Sequence, residues 1–560
     1  MGYMGVGMTK KEETSKIAYF SMEFAIDQAL KTYAGGLGFL AGSLFKAAKR
    51  ANYPMVGVSI LWSYGYYDQM RDIEGRMVIN KTRKFHDYLI DIDVKVPLNI
   101  NRSKLWVKAY LLPEGIFSTC PIYYLTTDIP ENDYLSRTIS YNLYDGNNLT
   151  HIAQEMVLGI AGYEVLKKCE NIDVYHLNEA QAIPLAFRMM EDKGFDYVKN
   201  HLVFTTHTPI PAGNEIQDIN ILDNMGFFSN VDIKTAEEFG GKPFNLTVAA
   251  LKMSKKANAV SKLHQKTTQE MWSWVPGKCN ITYITNAQDV NSWQDKKLRT
   301  YAEDGDFENL RKRKLHLKRQ LFQVVGDQCG RLFDDKKLTV VWARRFAEYK
   351  RPYFPLHDEE KLKELIDSEK LQFIWAGKPH PADFNAQVTF NWIISKSREI
   401  KDTAVLTGYE LHLSKLLKLG SDIWLNTPKR PNEASGTSGM TASMNGSVHM
   451  STLDGWHVEW YNTYPELSFT IGDGENLNED YEADSMYKLL WDVIDMYDTD
   501  KWWELVQKNI LTSVDFFNSD RMLEEYSKKV YAEVDKKYEI SNYNNIDNND
   551  NNTANNDNNN

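Results

Sequence analysis

Apolar and polar positions fall into two successive series of strand-length and helix-length segments. In the first, KIAYFSMEF (16–24) reads as a strand, and the turn Gly35-Gly36-Leu37-Gly38 opens a helical pattern through Lys46 and Arg50. PMVGVSILW (54–62) reads as the next strand, and residues 66–130 hold short alternating strands of an antiparallel insertion or edge. The period is helical over 148–168; VYHLN (174–178) is a strand, a helix follows through Met190, and HLVFTTH (201–207) is another strand. Residues 295–335 are highly charged and helical, a connector whose charges are expected to be mostly solvated. The second series has strands at 338–346, 371–376, 403–407 and 421–426 with helices between them, one near 390–400 and one over 409–419. Beyond about Met486 the chain is helical and closes the fold.

Strands alternating with helices predict βαβ units, parallel sheets and an α/β fold class, with two open-sheet domains facing across a cleft. The boundaries are an N-terminal extension (1–15), a first domain with a β insertion (16–295), the connector (296–335), a second domain with closing helices (336–540) and a tail (541–560). The tail is mostly Asn and Asp and carries too few apolar residues to offset the entropy of ordering.

In parallel sheets ligands gather at strand carboxyl ends. Asn178-Glu179 and His207-Thr208-Pro209 sit at two such ends, and Arg344, Arg345, Lys350 and Arg351 cluster after LTVVWA. The densest stretch runs from Asn426 to Trp456: a strand, a loop with Glu433, the small-residue run ASGTSG (434–439) that opens a helix-like segment, and a second apolar strand closing in LDG (453–455). Unpaired N–H groups and small residues there, with a second glycine turn at 35–38 and the Arg/Lys cluster, suit a pocket for phosphate groups. Asn286, Trp293, His207 and Glu433 could add groups that bind sugar hydroxyls.

The 560 residues suffice for two or three domains, and 42 % apolar with 25 % charged residues are ordinary globular values. A net charge of −11 argues against a nucleic-acid or anionic-membrane partner. Four cysteines lack any metal-ligand spacing, which predicts reduced buried thiols in a cytoplasmic protein and no metal site. No apolar run reaches the length that spans a bilayer. Fourteen Trp and 31 Tyr suit sugar stacking, although a core explains most of them.

Taken together, AYFSMEF, YAGGLGFLAG, HLNEA, FTTHTPIPAG, ITNAQDVNSW, ARRFAEYKR, AGKPHPAD, SDIWLN, RPNEASGTSGM and LDGWHVEW, in this order from Ala18 to about Asp473, resemble the alpha-glucan phosphorylase family in its short bacterial and archaeal form. The resemblance implies a glycosyltransferase (GT-B) architecture of two Rossmann-like domains. It also implies reversible phosphorolysis of alpha-1,4-glucan or maltodextrin to glucose 1-phosphate, with pyridoxal 5′-phosphate (PLP) in the cleft; a homo-oligomer is left open. By resemblance, Arg345 and Lys350 would hold the substrate phosphate, with the Gly35-Gly36 backbone approaching it. Glu433 and Asn286 would bind sugar hydroxyls, with His207 beside the glucosyl site, and Tyr409, Trp293, Gly436 and Thr437 would line the cofactor site.

Several positions depart from the family pattern. Thr441 stands where the family places its cofactor-linking lysine, and a hydroxyl cannot form that link, so PLP would be either held noncovalently or absent. The family's NEGH, PAGHD, NGVH and SxLHG read here as Asn178-Glu179-Ala180-Gln181, Pro211-Ala212-Gly213-Asn214-Glu215, Asn286-Ala287-Gln288-Asp289 and Ser261-Lys262-Leu263-His264-Gln265. Two other readings stand beside phosphorolysis: a catalytically impaired relative that binds glucan or regulates a partner, and a transferase that uses a nucleotide-sugar donor.

Overall fold

The computed structural model describes residues 15–533; the start of the expected extension and the 541–560 tail lie outside the described residues. In chain order the first strands are β1 (Ile17–Phe20), β2 (Met55–Ile60), the hairpin β3 (Asp68–Arg71) and β4 (Met77–Asn80), β5 (Ile90–Ile100), β6 (Ser103–Leu112) and β7 (Ile122–Thr126). They are followed by β8 (Val174–Asn178), β9 (Leu202–Thr205), the short pair β10 (Ile216–Gln217) and β11 (Phe244–Asn245), β12 (Lys256–Ala259) and β13 (Asn280–Tyr283). Nine of these form one sheet in the order β13-β12-β9-β8-β1-β2-β7-β6-β5. From β13 to β7 the strands run parallel, and β6 is antiparallel to both of its neighbours.

The second sheet contains β14 (Leu338–Ala343), β15 (Leu371–Ala376), β16 (Thr403–Leu406), β17 (Ile423–Asn426), β18 (Val448–Thr452) and β19 (Ser468–Ile471). Its order is β16-β15-β14-β17-β18-β19 and every pairing is parallel, so the winding reverses between β14 and β17. In the first sheet the reversal falls between β1 and β8. Those two reversals leave crevices at the strand carboxyl ends.

Burial follows this layering. Every residue of β1, β2, β7, β8 and β14 to β17 is buried, as parallel strands covered on both faces require, whereas β5 is largely exposed at the sheet edge. Trp342, Trp375 and Trp424 lie on central strands and are fully buried, so these tryptophans serve the core.

Several strands end earlier than their apolar runs suggest. β1 stops at Phe20 and β14 at Ala343, because the chain there leaves the sheet to enter the crevices. The apolar strand expected to close at 453–455 is β18, and residues 453–455 form the turn after it. In the connector region, the helix Phe307–Cys329 is not simply solvated: Leu310, Leu317, Leu321 and Val325 are buried, and so are Lys314 and Lys318. The helix Ser519–Lys529 returns to the first sheet and packs on the helix Gly36–Arg50. Just beyond it, the Tyr531 hydroxyl lies 2.8 Å from His176 Nδ1 on β8. Among the described residues all four cysteines are unpaired; Cys120 and Cys279 are buried, Cys169 and Cys329 half-buried. None of the described helices is long and apolar enough to cross a membrane.

Candidate active site

Residues that follow β1, β8, β14 and β17 (Glu23, Glu179, Arg344 with Arg345, and Glu433) line one cavity of about 660 Å³. Both winding reversals therefore open onto the same space.

Glu433 organises the second-sheet wall. Its Oε2 accepts from Arg344 Nη2 at 2.6 Å and from Lys350 Nζ at 2.8 Å. Burial alone would raise its pKa, but the two cations outweigh burial and hold the carboxyl down at about 2. The Glu433 N–H donates to Asp454 Oδ2 at 2.9 Å, and burial together with the Glu433 charge pushes Asp454 up to about 8. Arg344, singled out in the sequence only as part of a charge cluster, is thus central to the site. Arg351 is not: its guanidinium is buried against Glu482 at 2.6 Å and the carbonyls of Thr427 and Pro428. Arg345 lines the cavity, stays solvent-accessible and has no carboxylate in ion-pair range among the described residues. Desolvation by the cavity walls works against its charge, but the Tyr349 hydroxyl beside it raises its pKa above the usual arginine value.

On the first-sheet wall, the N–H groups of Ala34 and Gly35 donate to Glu23 Oε2 at 2.7 and 3.0 Å, and the Tyr144 hydroxyl donates to Glu23 Oε1 at 2.9 Å. The glycine turn already holds a carboxylate of its own. Gly35 and Gly36 nonetheless border the cavity, and a Cβ on either would meet nothing within 4 Å. His207 Nε2 lies 2.8 Å from Asn178 Oδ1; it donates there, which leaves Nδ1 as an acceptor. Burial lowers the His207 pKa to about 3, so the ring is neutral at ordinary pH. Glu179 has a left-handed φ of 71° at the end of β8 and accepts from the His207 N–H and from Thr208 Oγ1. Burial lifts its pKa to about 7, which makes it a titrating group on the cavity wall that the sequence marked only as a polar strand end. Asn286 also lines the cavity, and its buried Oδ1 has no hydrogen-bond partner.

The expected cofactor residues divide. Tyr409, Gly436 and Thr437 line the cavity. Gly436 has φ 85°, and a Cβ there would stand 3.1 Å from Arg344 Nη2, so the bare backbone is what leaves room. Trp293 does not line this cavity: its ring packs 5.3 Å from Phe39 and faces a smaller space of about 190 Å³. Thr441 is buried, and its hydroxyl donates to the carbonyl of Ser438 at 3.0 Å within its own helix turn. Lys378 and His380, from the AGKPHPAD segment, line the cavity as well, although no role was assigned to them from the sequence.

A family model described as carbohydrate phosphorylase matches residues 246–488. The chain is 32 % identical to a maltodextrin phosphorylase of Thermococcus litoralis, over 92 % of this chain and 70 % of that protein. It belongs to the carbohydrate phosphorylase family. A glycogen phosphorylase of Aquifex aeolicus is 30 % identical over 94 % of this chain and 88 % of its own length. An uncharacterised protein of Methanocaldococcus jannaschii is 60 % identical over 92 % of this chain and 99 % of its own length. Within this phosphorylase-family chain, the matched segment 246–488 contains Asn286, Arg344, Arg345, Lys350, Lys378, Tyr409 and the Glu433–Thr437 loop.

Proposed function

We propose that this chain is an alpha-glucan phosphorylase of two Rossmann-like domains in GT-B arrangement, roughly residues 16–295 and 336–540, joined by the 296–335 connector. Its reaction is reversible transfer of a terminal glucosyl unit from an alpha-1,4-glucan to phosphate, with retention, giving glucose 1-phosphate. The observation that carries the reading is the cavity that gathers Arg345, Lys350, Glu433, Asn286 and His207, residues far apart in sequence, at both winding reversals.

The residues present fit PLP at its phosphate end. Gly436 offers a backbone cradle that a Cβ would fill, and Gly436, Thr437 and Tyr409 border the space. When bound, PLP supplies a phosphate that exchanges a proton with the substrate phosphate. Arg345 binds and orients the substrate phosphate, as the cation that no internal carboxylate neutralises. Glu433 turns toward sugar hydroxyls as phosphate competes for Lys350 and Arg344, and Asn286 uses its unpartnered Oδ1 to accept from another hydroxyl. Neutral His207 accepts through Nδ1 beside the glucosyl unit. Charge that develops on the transferring groups is stabilised by these prepositioned cations.

One observation favours the glucan-binding, catalytically impaired reading: Glu433 already neutralises two of the cations. Release of glucose 1-phosphate from maltodextrin and inorganic phosphate, with and without added PLP, separates the two. Release supports the enzyme; maltodextrin binding without release supports the impaired relative. Consumption of UDP- or ADP-glucose with no use of phosphate would point to the nucleotide-sugar transferase.

A further inference from the structure

Three metal-ligating side chains that take no part in the proposed phosphorolysis come together beside the large cavity. His151 and Glu155 stand one turn apart on the helix Asn148–Met156, so both project from the same face. Glu215 comes from the segment just before β10, where the Leu246 N–H donates to its carbonyl at 3.1 Å. One ligand atom from each of the three lies within 4.8 Å of the other two. His151 Nε2 is 3.2 Å from Glu215 Oε2 and 3.8 Å from Glu155 Oε1. Two ligands bound to one tetrahedral ion at about 2.1 Å stand about 3.4 Å apart, so these spacings already suit a shared cation.

Glu155 is the residue that calls for an ion. It is fully buried, and neither of its carboxylate oxygens accepts a hydrogen bond from any described residue. Its neighbours in the cluster are an imidazole and a second carboxylate. Burial and the Glu215 charge accordingly push its pKa well above the usual carboxylate range. A divalent cation resolves the conflict, because it gives Glu155 a partner and neutralises both carboxylates. Glu215 is already oriented for the task. Gln217 Nε2 donates to Glu215 Oε1 at 3.0 Å, and Gln217 is itself fixed by two reciprocal hydrogen bonds with Asn148 at 2.9 and 3.0 Å. Such outer support is what holds a carboxylate in position for a metal.

We infer that His151, Glu155 and Glu215 bind one first-row divalent cation, of which Zn²⁺ is the type, at the wall of the large cavity. An imidazole among the ligands disfavours Mg²⁺ and Ca²⁺, and two carboxylates without a thiolate disfavour softer ions. The expectation of no metal site rested on cysteine spacing, and this cluster contains no cysteine. Three protein ligands leave a further position for water or an oxygen of a bound ligand. His151 and Asn148 line the cavity, so that position lies on the cavity side. The site does not depend on the phosphorylase reading, because its test reads the ion and not the reaction.

The full chain, stripped with a chelator and desalted, is equilibrated with Zn²⁺, and bound metal is counted by plasma mass spectrometry. The expected result is one equivalent per chain. Affinity should fall about 100-fold or more in Glu155→Gln and in His151→Ala, and about 10-fold in Gln217→Ala. His316→Ala, at an exposed histidine, should leave it unchanged. X-ray absorption at the zinc edge of the parent chain needs no variant, and should show nitrogen and oxygen neighbours at about 2.0–2.2 Å and no sulfur. Absence of bound zinc, equal binding by the parent and both ligand variants, or sulfur neighbours would each overturn the site. A higher thermal midpoint in Glu155→Gln with no zinc bound by the parent also overturns it, and the cluster is then a carboxyl pair sharing a proton beside His151. Displacement of the zinc by equimolar Mg²⁺ overturns the class of ion.

Discussion

At the scale of single residues the site is governed by one carboxylate. Glu433 is charged in the folded protein down to about pH 2, against an ordinary value of 4.5. A depressed carboxyl contributes stability that is present above its unfolded pKa and lost as pH falls through the folded value. The shift corresponds to roughly 3 kcal/mol, disappearing between about pH 5 and pH 2. Urea unfolding across that range is expected to show a steep acid-side loss that is much reduced in Glu433→Gln. Asp454 has the opposite sign: its pKa is raised to about 8, so its contribution is complete below its unfolded pKa and fades as pH climbs toward 8. Asp454→Asn should flatten the alkaline side of the same curves. Gly436→Ala places a Cβ against Arg344 at a left-handed φ. It is expected to cost about 1–2 kcal/mol in unfolding free energy and to weaken phosphate binding more than maltodextrin binding.

At the scale of elements, the helix Phe307–Cys329 shows what charge patterning conceals. Its first half is rich in Lys and Arg, yet Lys318 is wholly buried against Asp422, a residue at the head of β17. Lys318→Met leaves that carboxylate buried without its partner and should destabilise the fold by about 3–5 kcal/mol. The double variant Lys318→Met/Asp422→Leu should recover much of the loss, read by denaturant midpoint. A net charge count cannot tell such a lysine from Lys312, which pairs with Glu308 on the surface. Lys418 illustrates the same blindness: within HLSKLLKLG it looks like one more solvated position of an amphipathic helix, and only packing reveals that both faces around it are covered. The parallel strands were easier, since LTVVWA, LQFIWA and IWLN are short, mainly apolar runs without polar alternation, the pattern of strands covered on both faces. By contrast β12 (KANA) and β13 (NITY) were not legible: four residues with little apolar contrast become strands because β9 offers an edge for them to extend.

At the scale of the molecule, the chain order in the sequence predicted βαβ units, and the two sheet reversals place most of the expected site residues around one space. Arg345, Lys350, Glu433, Asn286, His207, Gly35, Gly36, Tyr409, Gly436 and Thr437 all border it, whereas Trp293 and Thr441 do not, because both are enclosed by neighbouring helices. The return of the last described helix to the first sheet could not be read from its amphipathic pattern, which fits any apolar surface. That helix joins regions far apart in the chain: Tyr526 reaches Thr205 and Asn258 at 3.3 Å, and Arg50 pairs with Asp520 at 2.6 Å. Ending the chain after Phe517 should expose the helix Gly36–Arg50 and the glycine turn it begins from, lowering the thermal midpoint and phosphate affinity together.

The central claim is that this cavity performs phosphorolysis with Arg345 as the group that takes the phosphate. The most direct test measures glucose 1-phosphate formed from maltodextrin and phosphate, in the presence of PLP, by the unmodified chain and by Arg345→Ala side by side. Arg345 carries no structural ion pair, so the variant should unfold like the parent. The account predicts release by the parent and a fall of about 100-fold or more in kcat/KM for phosphate in the variant, the loss of about 3 kcal/mol of charge-assisted binding. Equal release by both chains, or none by either, would contradict it.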